Sequence, residues 1–247
     1  VNKYLFSMMS HSCEVSKGYW SIQPIGYITS PYKQKFGVAR QPGLVPAALA
    51  YIDLSKEFTT DCVRGLEDYE YIWVQFIFHA TVKEGWQPLI RPPKLGGKEK
   101  KGIFATRSPH RPNHLGLSLV KLERIECNKH VRIHISGVDF LDQTPVIDIK
   151  PYIPFVEAKP HARCGFAREH EQLRVYWSPE ALQQVRLFSL DTKHYDLINQ
   201  SLAHDPRPAH QYKSNKIFVV NLFDWDVLFR VIDNIVEITG IREHIET

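Results

Sequence analysis

The chain has 247 residues, 43% of them hydrophobic and 23% charged, with 31 Lys and Arg against 27 Asp and Glu for a formal net charge of +4. This is globular composition: it excludes a wholly disordered chain, a polycation and an acidic tail, and leaves a lean toward anionic partners. No apolar run approaches the ~18–20 residues that span a bilayer, so no membrane partner is expected.

Residues 1–20 read as an N-terminal extension. They hold Leu5, Phe6, Met8 and Met9 but neither a long apolar segment nor a small-residue cleavage site, so no secretory signal is expected. Cys13, Cys62, Cys127 and Cys164 form no CxxC pair, which excludes a zinc ribbon and fits free thiols in a cytoplasmic protein. Residues 22–29 read as a strand closed by Ser30-Pro31, and Gln41-Pro42-Gly43 as a turn. Residues 71–78 are aromatic and β-branched on both faces, as in a central strand buried on both sides. A long basic loop opens at Arg91, residues 103–106 read as a short strand, and Ser108-Pro109 ends it.

Residues 117–125 and 131–138 read as paired strands joined near Cys127-Asn128-Lys129. In the second, Val131, Ile133 and Ile135 alternate with Arg132, His134 and Ser136, which puts one face in the core and one in water. Ile147 and Ile149 alternate with Asp148 and Lys150 in the same way. Several such strands with turns between them predict a closed or nearly closed antiparallel barrel.

The pattern changes after Glu157, and residues 158–170 read as a linker. Leu173, Val175 and Trp177 alternate as a strand. Ser178-Pro179-Glu180 starts a helix: an N-cap, a proline at the first helical position and an acid in the first turn. Leu182, Val185 and Phe188 follow at helical spacing, and a second helix carries Tyr195, Ile198 and Leu202. Residues 217–223, 227–232 and 235–239 read as strands, with Asp233-Asn234 as a hairpin turn. The fold expected is mainly β, an N-terminal antiparallel β-barrel over residues 21–159 followed by a smaller α+β domain over residues 160–247.

Three standard chemistries are missing: there is no GxGxxG, no GxxxxGK[ST] and no GxSxG. His110 and His114 have zincin spacing, but Pro112 lies between them and no Glu accompanies them, so no metal is expected. Three other features carry weight. The stretch Phe104-Ala-Thr-Arg-Ser-Pro-His-Arg-Pro-Asn113 is a proline-stiffened loop whose Arg107 and Arg111 present forks suited to carboxylate or phosphate; the plainer reading is a rigid surface turn. Asp139-Phe-Leu-Asp-Gln-Thr-Pro145 suits a cation or sugar hydroxyls, or is simply an Asx turn. Between residues 91 and 114 seven Lys and Arg face one acid, and residues 21–52 hold Lys33, Lys35 and Arg40 with no acid. Such clustering beside proline-rich turns has the form of a phosphate-backbone footprint.

Five motifs together resemble the TsaA-like family of tRNA methyltransferases: Ile25 to Lys33, Phe36 to Gly43, Phe104 to Asn113, Gly116-Leu-Ser118, and Asp139 to Tyr152. The resemblance continues through Leu202-Ala-His-Asp-Pro-Arg-Pro-Ala209 and spans about residues 21–237. It implies a barrel that uses S-adenosylmethionine without a Rossmann fold and methylates the exocyclic N6 of threonylcarbamoyladenosine beside the anticodon of tRNA. It also implies a homodimer. By the family pattern the donor pocket falls on Gln41, Pro42, Gly43, His79, Ala80, Arg107, Leu117, Asp139, Phe140, Leu141 and Asp142. Asp139, Asp142 and His79 are the candidates for a base, and the residues do not choose among them. Lys33, Lys35, Arg40, Lys98, Lys100, Lys101 and Arg111 are the candidates for RNA contact, with Tyr32 or Phe36 as faces for base stacking. Two positions depart from the family: His114 stands where a proline is usual and Gln143 where a glycine is usual. The competing reading is a non-catalytic module that binds S-adenosylmethionine or RNA and regulates a partner.

Overall fold

The computed structural model describes residues 21–96, 98–167, 171–208, 211–212 and 214–245; the expected N-terminal extension, residues 1–20, lies outside them. Eight strands precede the first helix: β1 Gly26–Thr29, β2 Leu49–Leu54, β3 Tyr71–Ile77, β4 Leu89–Ile90, β5 Lys101–Gly102, β6 Leu115–Cys127, β7 Val131–Ser136 and β8 Thr144–Pro151. Six of them close into an antiparallel barrel in the order β1-β2-β7-β6-β3-β8, shut by the pairing of Gly26 with Val146. Closure leaves the barrel no free edge. Its interior is packed with Ile28, Ile52, Ile72, Val74, Val120, Ile133, Ile135 and Val146, all buried. The alternation of β7 is realised as expected, and Cys127 pairs with Val131 across the short connection to β6.

Three expectations need correction. Residues 103–106 are not a strand: Ile103–Ala105 form a 3-10 turn, with the short β4–β5 pair just before it. β3 is central, between β6 and β8, yet only one of its faces is buried, because the barrel has a single interior. In β8 the alternation slips. Gln75 pairs with Asp148 while Phe76 pairs with Val146, so Ile147 is passed over in a bulge. The core side chains are therefore Val146 and Ile149, not Ile147 and Ile149.

The second half begins with α1 Pro154–Glu157 and continues with β9 Arg174–Trp177, α2 Pro179–Leu187, α3 Thr192–Ala203, β10 Phe218–Leu222, β11 Trp225–Ile232 and β12 Ile235–Glu243. The sheet order is β10-β11-β12-β9, with β9 parallel to β12. The Ser178 hydroxyl caps α2 by accepting from the Ala181 N–H at 3.1 Å. α2 turns Ala181 rather than Leu182 into the core. Asp233 and Asn234 both have positive φ, the twist-matched geometry of a two-residue hairpin.

The long β1–β2 connection, residues 30–48, straps the two sheets together. Phe36 stacks on Phe218 and Phe229 at 6.5 and 6.4 Å between ring centres. The Phe223 N–H donates to the Pro31 carbonyl at 2.8 Å, and the Ala47 N–H to Gln200 Oε1 at 2.8 Å. Gly37 has φ +98°, and a Cβ there would lie 2.1 Å from Val220 Cγ2, so only glycine permits the approach. Tyr32 is fully buried and Phe36 packs against the core; neither is free to stack on a base, contrary to expectation.

Candidate active site

At one end of the barrel the strap, the loops after β3 and β5, and the turn before β8 converge. A small cavity of about 200 Å³ is lined by Lys35, Phe76, Phe78, His79, Ala80, Asp139 and Leu141, among others. A groove of about 1350 Å³ is lined by Gln41, Gly43, Lys101, Phe104 and Arg107 from the barrel, and by His204, Arg207 and Tyr212 from the second half.

The residues expected to form the donor pocket divide between them. His79, Ala80, Asp139 and Leu141 face the cavity, while Gln41, Gly43 and Arg107 face the groove. The two groups are tied: Arg107 donates to the Gln41 side-chain oxygen, and the Gly43 N–H donates to the Gly137 carbonyl at 2.7 Å, two residues before Asp139. Pro42 rides in the same turn. Phe140 belongs instead to the core, 4.9 Å edge-on to Phe76, so it supports the cavity from beneath. Leu117 is exposed on β6. Asp142 is already engaged, accepting from the Ser30 N–H at 2.9 Å and pairing with Lys33 Nζ at 2.8 Å.

Asp139 is the electrostatic centre. It keeps some solvent access but is enclosed by protein, and that desolvation pushes its carboxyl from 3.8 up to about 6, against the hydrogen bond from Ser118 Oγ (2.7 Å) and the nearby Arg107 charge. Partial burial pulls His79 below the usual imidazole range, so it is neutral at pH 7, with Nδ1 3.5 Å from Thr144 Oγ1. The lining fits a molecule that combines a carboxylate, a cation, hydroxyls and a ring system. Arg107 suits the carboxylate, Asp139 the cation or hydroxyls, and Phe76, Phe78 and Leu141 give apolar walls. The cavity alone is smaller than ordinary ligand sites of roughly 300–1,000 Å³, so such a molecule must extend into the groove.

The two departing positions both take left-handed backbone: Gln143 has φ +59° and His114 φ +52°. Gln143 thus holds the conformation that glycine favours. Proline cannot adopt the angle at His114, so the loop runs differently there from one with proline.

The bases expected to meet RNA play several parts. Arg40 donates to the carbonyls of Asp205 and Arg207, both at 2.9 Å, and Arg111 to the Thr106 carbonyl at 2.8 Å, so both clip loops in place. Lys33 pairs with Asp142, Lys35 with Glu84 at 2.5 Å, and Lys101 with Glu99 at 2.5 Å. Lys98 and Lys100 are exposed and make no ion pair among the described residues. The sequence does not single out His204, Arg207 and Tyr212 of the groove; the Leu202–Ala209 motif marks their neighbourhood without assigning them a role. Among the described residues no group of three or more His, Cys, Asp or Glu is placed to hold a metal, and no helix is long and apolar enough to cross a membrane.

Comparison with known proteins gives the same picture from outside. The model of the tRNA-methyltransferase O N-terminal domain matches residues 27–158, and that of the TrmO C-terminal domain residues 170–244. The tRNA (adenine(37)-N6)-methyltransferase of Escherichia coli is 42% identical over 221 residues, 87% of this chain and 94% of that protein. Its namesake in Eikenella corrodens is 52% identical over 164 residues, 66% of this chain and 91% of that protein. The crystal structure of TrmO from Pseudomonas aeruginosa superimposes with a TM-score of 0.74 at 35% identity, covering 90% of this chain and 97% of that one.

Proposed function

From one premise, that the chain belongs to the tRNA-methyltransferase O family, we infer its activity. It is an S-adenosylmethionine-dependent tRNA methyltransferase acting on N6 of the adenine at position 37, beside the anticodon. Its substrate nucleoside is threonylcarbamoyladenosine. The observation that carries the reading is the match of both family models, over residues 27–158 and 170–244.

When bound, S-adenosylmethionine supplies an electrophilic methyl group on a sulfonium centre. The protein's part is to hold and align. Arg107 pairs the donor carboxylate, Gln41, Pro42 and Gly43 form the turn against which it lies, and Ala80 and Leu141 bound it, while Leu117 lies outside both linings. The N6 of the substrate is flanked by a carbonyl, so its proton is acidic and its lone pair poor, and a hydrogen-bond acceptor promotes its attack. Asp139 takes that part. Asp142 is committed to Ser30 and Lys33, whereas Asp139 lines the cavity with a carboxyl poised near neutrality. His79, whose basicity burial lowers, lines the same cavity. Holding the nitrogen in line with the donor's methyl–sulfur bond is the main source of rate. Lys98, Lys100 and Lys101 meet tRNA phosphates. In keeping with the resemblance, the enzyme works in the cytoplasm as a homodimer, which sedimentation equilibrium tests directly.

The test of the activity is mass spectrometry of nucleosides from threonylcarbamoyl-modified tRNA incubated with protein and donor. Many methyl groups per protein are expected. Donor binding without turnover would instead make the chain a regulatory module.

A further inference from the structure

Phe104 stands out along the groove. It is 80% exposed, more than either other aromatic in the lining, Phe166 and Tyr212. Its turn is nonetheless firmly held. Ile103 beside it is buried, and the Ile103 N–H donates to the Pro88 carbonyl at 3.0 Å. The Thr106 N–H and hydroxyl both donate to the Ile103 carbonyl, at 3.1 and 2.9 Å, and Arg111 clamps the Thr106 carbonyl. A phenyl ring presented to water from a rigid turn, with Lys101 and Arg107 in the same groove, has the properties of a stacking face. Every base offers a π-face, and bases of single-stranded loops splay out onto aromatic side chains. Tyr212, from the second half, also lines the groove. Tyr212 is held by the buried Arg207, whose guanidinium lies 5.5 Å from its ring and donates to its carbonyl at 3.3 Å.

We propose that Phe104 is the stacking platform for a splayed anticodon-loop base, and that Tyr212 contributes a second aromatic wall of the same groove, so that both halves of the chain grip the substrate. The proposal rests on the tRNA reading above. It explains a fixed, exposed aromatic in a groove that neither Tyr32, which is buried, nor Phe36, which packs against the core, lines.

The experiment uses the full chain and a synthetic anticodon stem-loop carrying 2-aminopurine beside the anticodon. Phe104→Ala is expected to raise the stem-loop Kd by about 5- to 150-fold, the range for loss of one base–aromatic stack. It is also expected to remove the fluorescence quenching that the parent protein should produce. Donor affinity by calorimetry, melting temperature and the salt dependence of binding stay unchanged. Phe104→Trp restores both binding and quenching, while Phe104→Leu does not. Parent-like binding and quenching in Phe104→Ala, full rescue by Leu, or a parallel loss of donor affinity would each overturn the proposal. If the parent protein binds and quenches the stem-loop but transfers no methyl, the enzymatic reading fails and this one stands. If it methylates tRNA and Phe104→Ala does so with unchanged KM, only this one fails.

Discussion

Asp139 sets function against stability. Its folded pKa of about 6 exceeds its ordinary 3.8, so the folded chain binds this proton more tightly than the unfolded one. By linkage the favourable contribution is present below about pH 4, declines between about 4 and 6, and is gone above that, at a cost on the order of 2–3 kcal/mol. Asp139→Asn removes that dependence. Urea titrations are expected to show the variant more stable than the parent at pH 8 and equal to it near pH 4. Equal stability at both pH values would contradict the burial argument. If the ionised carboxylate accepts the substrate proton, the parent kcat/KM rises with pH through about 6, and the variant loses roughly 100-fold or more in kcat, the scale of a lost general base. Arg107 is tested separately. Arg107→Ala is expected to weaken donor binding about ten-fold or more, since charge-assisted hydrogen bonds contribute about 1.5–3 kcal/mol; calorimetry measures it, and unchanged affinity would refute the assigned role.

At the scale of elements, the β1–β2 strap does two jobs at once. Its middle carries Gln41, Pro42 and Gly43, and its flanks hold the second sheet through Phe36 and Gly37 and α3 with the loop after it through Ala47 and Arg40. The position of the donor turn therefore depends on contacts made well away from it. Gly37→Ala drives a methyl group into buried Val220 at a left-handed backbone position. Overpacking of this kind costs about 1–3 kcal/mol. A melting temperature lowered by several degrees is expected, with donor affinity reduced as well; a fall in melting temperature alone would uncouple the strap from the site. Gly116 shows the same economy inside the barrel. It lies opposite Phe76, whose ring fills the space a Cβ would take, and that ring in turn walls the cavity.

Over the whole molecule, one buried apolar cluster runs from the barrel into the second sheet. Trp73 reports on the barrel, and Trp177 and Trp225 on the second sheet. Heating is expected to give one transition seen alike by fluorescence and circular dichroism, and two separated transitions would show independent units. The net charge of +4 conceals a polarised distribution, with seven bases against one acid between residues 91 and 114. Arg111 among them holds its own loop, while Lys98 and Lys100 are exposed. Replacing Lys98, Lys100 and Lys101 by Gln is expected to lower the slope of log K against log salt for tRNA by about 2, since each phosphate no longer neutralised removes roughly 0.7–0.9. Donor affinity is unchanged, and a parent-like slope would remove this loop from the interface.

Local chemistry was enough to read much of this protein. Period-two alternation marks β7, Ser178-Pro179-Glu180 caps α2, and Asp233-Asn234 turns the last hairpin, because each depends on residues adjacent in the chain. The motifs likewise picked out residues that the fold gathers at one cavity and one groove. What only the tertiary structure decided depends on partners far apart in sequence. The bulge at Ile147 arises from pairing with β3. Tyr32 is buried and Phe36 packs on Phe218 and Phe229 of the second sheet, and Arg40 is a clip because the Asp205–Arg207 backbone reaches it. The division of the donor residues between cavity and groove, and the exposure of Phe104, follow from how distant loops converge. Residue type states which chemistry a side chain is capable of, whereas burial and neighbours, which long-range packing sets, select the one it performs.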